Sequence, residues 1–302
     1  MNINTDSDIS LLGIASDLGG PIGGSRLGPA AIRYAHVQEK IEDLGYQVID
    51  EGDLYSKKLL RPITSKSNLK YLDEIADLSQ RSYEKVSSIL ADGRFPLILG
   101  GDHSMSIGTI AGIREHYRDL GVIWIDAHGD INTQDSSPTG NIHGMPVAVN
   151  MGYGHKKLTS IGGDHRLDPT KFVYIAARDL DEGEREIIKK LGITTFTMHE
   201  VDEQGMAAVI KQAIEIASKD TDGIHLSFDV DSIDPKIVQG TGTKVDNGLT
   251  VREARFALEK LYESEKIISA EFVETNPLLD LYNHTAEITV SLIESLLGKT
   301  LI

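Results

Sequence analysis

The 302-residue sequence contains no cysteine, which excludes disulfides and zinc–thiolate sites. No apolar run reaches transmembrane length, and there is no internal repeat, low-complexity tract or Pro/Ser-rich linker. The opening stretch, MNINTDSDIS, lacks the positive and apolar regions of a signal peptide. These absences set the expectation of a soluble, cytoplasmic protein that engages no membrane. Basic residues are also scarce: 30 Lys and Arg face 46 Asp and Glu, for a net charge of −16. That deficit argues against binding the phosphate backbone of a nucleic acid and favours cationic partners, whether metal ions or a basic small molecule.

A hydrophobic content of 40% is enough for a large core. Short apolar runs alternate with helical patterns almost from end to end. Strands are expected at 11–14, 46–50, 96–101, 121–127, 172–177, 223–231 and 267–274. A helix is expected over 28–45, with Pro29 in its first turn and Gly45 just past its end. Others are expected near 68–91, 104–117, 182–191, 203–218, 250–264 and 285–297. The strands are apolar at both parities, as in a parallel sheet covered by helices on both faces. The expected fold class is therefore α/β, a three-layer αβα arrangement around a mostly parallel central sheet, in one domain spanning 1–302. Ligands of such sheets bind at the carboxyl ends of the strands, which directs attention to the residues just after each apolar run.

Those residues are acids and histidines. PLILGG leads to Asp102, His103 and Ser104; GVIWI leads to Asp126, His128 and Asp130; HLSF leads to Asp229, Asp231 and Asp234; SAEFV leads to Glu274. Taken singly, each has an ordinary explanation: Asp102 near a helix N-cap, or DVD as a solvated strand end. Gathered at one sheet edge, the carboxylates would repel one another unless compensated. A pair of divalent cations sharing a carboxylate provides that compensation. Oxygen-rich ligation with one imidazole per ion and no thiolate suits Mn²⁺ better than Zn²⁺.

GGDHS, DAHGDIN and SFDVDSIDP resemble the three metal signatures of the ureohydrolase family, in order and at similar separations. SSPTGNIHG, RDLDEGE, TMHEVD, GTGT and EFVETNP resemble further segments of its arginase branch, especially in bacteria, from about residue 11 to the C-terminus. The resemblance implies hydrolysis of L-arginine to L-ornithine and urea by a hydroxide held between two Mn²⁺ per chain. His103, Asp126, Asp130 and Asp229 would hold one ion, and His128, Asp126, Asp229 and Asp231 the other, with Asp126 and Asp229 bridging. Asp130 would also orient the hydroxide, Glu274 would pair with the guanidinium, and His143 would pass a proton to the leaving amine. Asp181 and Glu184 would serve the α-amino group, Glu184 through water. Asn132, Ser137, Thr139 and Asn141 would serve the α-carboxylate, and Thr243 would lie near the guanidinium. The resemblance further implies a homotrimer or homohexamer. Asp234 is read as holding the turn before Pro235. His36, His116, His155 and His165 are read as surface or loop residues, His199 and His225 as buried and structural, and His284 as preceding or capping the last helix.

The sequence departs from the family pattern in three places. The loop DLGGPIGGSRLGP lacks the usual basic pair, Ser232 replaces a glycine, and Gln239 and Lys244 stand where prolines are common. Two other readings stay open: an agmatinase or other guanidino-substrate ureohydrolase, and a non-catalytic metal-binding relative of the fold.

Overall fold

Strands apolar at both parities need cover on both faces, and this sheet has it. The computed structural model describes residues 8–56 and 68–300. Residues 1–7, within the stretch read for leader features, and the extreme ends of the expected 1–302 domain lie outside them. Eight strands form one sheet: β1 (Ile9–Ala15), β2 (Val48–Tyr55), β3 (Phe95–Gly100), β4 (Leu120–Ile125), β5 (Phe172–Ala177), β6 (Thr194–Thr197), β7 (Gly223–Asp229) and β8 (Ile267–Val273). Their order is β2-β1-β3-β8-β7-β4-β5-β6, and every pairing among them is parallel.

Along β4, Ile123 and Ile125 enter one core layer, shared with residues of the helices Met206–Ala217, Val251–Glu263 and His284–Leu296. Val122 and Trp124 enter the opposite layer, shared with the helices Leu72–Ala91 and Ser106–Arg114. The fold is a three-layer αβα sandwich. Its order makes β3, β8, β7 and β4 consecutive neighbours. These are the four strands whose carboxyl ends carry the acid and histidine clusters, so strands far apart in sequence deliver them side by side.

Several elements differ from expectation, among them the second strand, which runs Val48–Tyr55 and not 46–50. β6 was not anticipated: TTFT is only four residues long, mostly half-buried and at the sheet edge, so it carries no apolar run. The helix expected over 28–45 breaks at His36, whose φ of 64° separates Gly28–Tyr34 from Val37–Glu42. The helix expected over 203–218 splits at Gly205, with φ 77°, into Met198–Gln204 and Met206–Ala217. The DVD run leaves the sheet at Asp229, and Val230–Ser232 form a single 3₁₀ turn.

The close approach of one turn explains a glycine in GGDH. Gly101 donates its N–H to the Ile14 carbonyl, and a Cβ there would lie 2.0 Å from the Ser16 carbonyl oxygen. Only a residue without a side chain lets β3 end pressed against β1 in this way.

Candidate active site

The centre of the cluster is His103, fully buried just past β3. Its Nδ1 lies 3.2 Å from Asp126 Oδ2, 3.0 Å from Asp130 Oδ2 and 3.1 Å from Asp229 Oδ2. Despite three carboxylate oxygens at that range, this Nδ1 has no hydrogen-bond partner among the described residues. A buried nitrogen ringed by oxygens but bonded to none is the donor arrangement of a cation site. A second set adjoins it: His128 Nδ1 lies 3.5 Å from Asp126 Oδ1 and 3.2 Å from Asp231 Oδ2. His103, Asp126 and Asp229 thus form one group able to hold a metal ion, and Asp126, His128 and Asp231 form another. Asp126 belongs to both through different oxygens.

Local hydrogen bonds aim these side chains. Asp126 Oδ1 accepts the His128 N–H at 2.7 Å, and Asp229 Oδ1 accepts the Asp231 N–H at 2.8 Å. Asp130 and Glu274 both adopt left-handed backbone, with φ of 49° and 63°. For residues with a Cβ this conformation is costly, and such strain concentrates at functional sites.

The electrostatics reflect crowding. Burial alone would lower the His103 imidazole, but Asp126, Asp130 and Asp229 raise it well above its ordinary value. Burial, then Asp231 and Asp126, push the Asp229 carboxyl well up, and burial and Asp126 raise Asp130 to about 6. Burial opposes ionisation of Asp126 as well, yet the neighbouring imidazoles of His103 and His128 hold it far below the carboxylate range. The acids cannot all ionise together on the protein's own charges.

Beside this floor opens a cleft of about 270 Å³, lined by His128, Asp130, Asn132, Ser137, Thr139, Asn141, His143, Asp181, Glu184, Asp229 and Thr243, with Pro21 at one edge. Apart from Glu274, the residues that the resemblance assigns to the substrate all line this one cleft. His103, Asp126, Asp231 and Glu274 lie outside the lining.

Several lining residues have protein partners that refine their roles. Asn132 Nδ2 donates to Asp181 Oδ2 at 2.9 Å, and its Oδ1 accepts from Ser136. Ser137 Oγ accepts the Gly140 N–H at 3.0 Å, which shapes the loop. Thr243 donates to Asp231 Oδ2 at 2.9 Å. Both Glu184 oxygens accept backbone N–H groups, from Asp181 at 2.9 Å and from Ile131 at 3.3 Å. Burial raises Glu184 to about 7. Glu274 Oε1 accepts the His103 N–H at 2.9 Å and lies 3.2 Å from His143 Nδ1. Burial would lower His143, but Glu274 raises it to about 9.

Residues not assigned to the site from the sequence complete it. Trp124 stacks on His103 at 4.0 Å and donates Nε1 to Asp126 Oδ2 at 2.9 Å. His103 Nε2 lies 2.8 Å from Ser227 Oγ, which donates to the fully buried Glu271 at 2.8 Å. Ser106 and Thr109 also donate to Glu271, and His225 Nε2 stands 3.4 Å away. Burial opposes its charge, but His225 holds Glu271 at about 2. Arg178 gathers the carbonyls of Asp231, Ser232 and Val245 behind the third cluster. Period-2 alternation could have flagged Trp124 and Ser227, each two residues before a cluster aspartate. Glu271, an acid within an apolar run, was the other available signal.

Asp234 holds its turn by accepting from the amides of Lys236, Asn247 and Gly248. Ser232 needs no left-handed backbone, and its hydroxyl donates to the Asp229 carbonyl at 2.6 Å. Gln239 and Lys244 are exposed. Of the remaining histidines, His225 is buried and structural, whereas His199 is exposed, contrary to expectation, because it falls in the first turn of the Met198–Gln204 helix. His36, His116 and His165 are exposed, His155 is half-buried, and His284 opens the last helix.

A model of the Arginase family matches residues 7–298. An arginase of Brevibacillus brevis is 48% identical over 298 residues, covering 98% of this chain and 100% of the relative. An arginase of Bacillus subtilis is 47% identical over 298 residues, with the same coverage of both chains. The solved structure of an arginase from Bacillus caldovelox superposes with a TM-score of 0.96 at 47% identity, covering 98% of this chain and 100% of that one.

Proposed function

This chain belongs to the arginase family of hydrolases, and from that premise we propose that it hydrolyses L-arginine to L-ornithine and urea with two Mn²⁺. The donor set fits such ions: oxygen-rich, with one imidazole in each group and no thiolate. His103, Asp126, Asp130 and Asp229 would hold one ion, and His128, Asp126, Asp229 and Asp231 the other. When bound, the two ions supply the positive charge that brings the pKa of an intervening water toward neutrality.

The chain's own residues do the rest. Asp130 orients the water toward the guanidinium carbon. Glu274 places negative charge beside the guanidinium from beneath the cleft. His143, protonated at neutral pH because Glu274 raises it to about 9, has Nδ1 held by Glu274. Its Nε2 is then the nitrogen that passes a proton to the leaving amine. Asp181, steadied by Asn132 and by the Glu184 contact to its amide, receives the α-ammonium. Ser137, Thr139 and Asn141 receive the α-carboxylate, with Asn132 between the two.

The single observation carrying this reading is that ammonium-accepting and carboxylate-donating groups line the same cleft as the acid cluster. Agmatine lacks the carboxylate and would leave the polar groups around Asn141 without a partner, a mismatch that sites built for a polar group reject strongly. Urea assays with and without Mn²⁺ should show metal-dependent turnover and a preference for L-arginine over agmatine of at least about a hundredfold in kcat/KM. Comparable constants for the two substrates would overturn the arginine reading and leave only guanidine hydrolysis. We also propose one domain across 1–302 and assembly as a homotrimer or homohexamer, supported by the family resemblance and tested by sedimentation velocity.

A further inference from the structure

Among the described residues lining the cleft there is neither lysine nor arginine, although the proposed substrate brings an α-carboxylate into it. The cation stands one layer back. Lys70 donates from Nζ to Asn141 Oδ1 at 2.7 Å, and its backbone N–H donates to the Gly140 carbonyl at 3.1 Å. Gly140 has φ 71°, and a Cβ there would lie 2.1 Å from the Asn68 carbonyl, so the two segments are in close contact. Leu69, between them, is buried. Lys70 is thus held against the substrate loop by main chain and side chain together.

An ammonium has donors only, so the end of the Asn141 amide that meets it must be the carbonyl. The NH₂ end is then turned away from Lys70, and among the described residues Nδ2 donates to none. Asn141 is itself buried and lines the cleft. We propose that Lys70 is a positioning residue for substrate specificity: by occupying Asn141 Oδ1 it commits the amide to present hydrogen-bond donors to a substrate carboxylate. Without Lys70 the amide can turn over and offer its carbonyl oxygen, which repels an anion. This rests on the L-arginine reading above and deepens it by adding a residue that the motifs do not contain.

The test compares Mn²⁺-loaded wild type, Lys70→Met and Lys70→Arg in steady-state urea assays on L-arginine and agmatine. Lys70→Met should raise KM for L-arginine about tenfold with kcat within about twofold, the scale of losing one charge-assisted hydrogen bond. Agmatine constants should stay as in wild type, and Lys70→Arg should keep most of the preference. In an Asn141→Ala background Lys70→Met should change the L-arginine KM by less than about twofold, since the partner it acts through is gone. Should Lys70→Met fail to fold, Asn141→Asp keeps the Lys70 contact but replaces the donors with acceptors, and it must reduce the arginine-over-agmatine preference at least about tenfold. Equal KM changes for both substrates, an unmoved preference, or full additivity with Asn141→Ala would each overturn the role of Lys70. If wild type releases no urea from L-arginine, the proposed function itself fails, and the role of Lys70 with it. Urea release with a preference unmoved by Lys70→Met overturns the Lys70 role alone.

Discussion

Asp126 faces two imidazoles with different oxygens, Oδ2 toward His103 and Oδ1 toward His128. A carboxylate shared in this way cannot be weakened for one ion alone. Asp126→Asn should therefore lower affinity for both Mn²⁺, whereas Asp231→Asn, which touches only the His128 side, should weaken mainly one. Calorimetric titration that found two normal sites in Asp126→Asn would exclude sharing. His143 pairs with Glu274 and with no member of either metal-holding group. His143→Ala should cut turnover by about 10²–10⁴-fold while leaving bound Mn²⁺ unchanged, as checked by single-turnover rates alongside metal analysis. Ser227 links His103 Nε2 to Glu271, which keeps the imidazole turned so that Nδ1 faces the acids. Ser227→Ala should weaken Mn²⁺ binding by about 10–100-fold, the usual cost of losing an outer hydrogen bond to a ligand histidine. Unchanged affinity in that variant would show that Trp124 stacking alone orients the ring.

At the scale of elements, the site depends on four neighbouring strand ends meeting within a few ångströms. The contact of Gly101 with Ser16 sets how closely the β3 end, and hence His103, approaches β1. Gly101→Ala puts a methyl group into the Ser16 carbonyl, an overpacking expected to cost about 1–3 kcal/mol. Urea denaturation should show that loss, accompanied by weaker Mn²⁺ binding because the GGDH turn must shift. Equal stability in the variant would mean that the turn moves freely. Glu184 plays a comparable double part: one oxygen caps the first turn of the Glu182–Leu191 helix at Asp181, and the other holds the Ile131 amide beside Asp130. The cleft wall and the acid-cluster floor are tied through that one buried side chain.

At the scale of the whole molecule, the unpaired negative charge of the cluster links metal, pH and stability. His103 and His128 sit well above the ordinary imidazole value, burial opposing and the carboxylates prevailing. A raised histidine contributes stability that is complete below its unfolded pKa of about 6.5 and is lost as pH rises through its folded value. Asp130, at about 6, and Asp229, also raised, bind protons more tightly folded than unfolded. Stability therefore falls further as pH climbs from about 4. The depressed Asp126 acts in the opposite sense only at more acid pH. Metal-free protein should thus lose stability between pH 5 and 8, while Mn²⁺, which competes with those protons, binds better across that range. The Tm gain on adding Mn²⁺ should widen with pH. A constant or shrinking gain in calorimetric scans would contradict the account.

The chain order of residues alone was enough to determine the αβα class, the strands with long apolar runs, and which acid and histidine side chains stand at the strand ends that the fold gathers. Apolar parity and strand-end placement are local properties, written within a few residues of each motif. The absence of cysteine likewise excluded a thiolate metal site. What only the tertiary structure decided depends on contacts between distant segments. The β3-β8-β7-β4 adjacency joins clusters as far apart in the chain as His103 and Glu274. The short edge strand β6 exists because β5 offers it a free side, not because TTFT carries a strong pattern. The breaks at His36 and Gly205 come from left-handed backbone that helical periodicity does not register. Glu271, Trp124 and Lys70 look like ordinary core or surface residues until folding sets them against Ser227, His103 and Asn141. Residue type limits what a side chain can donate, accept or ligate, but only packing chooses its partner.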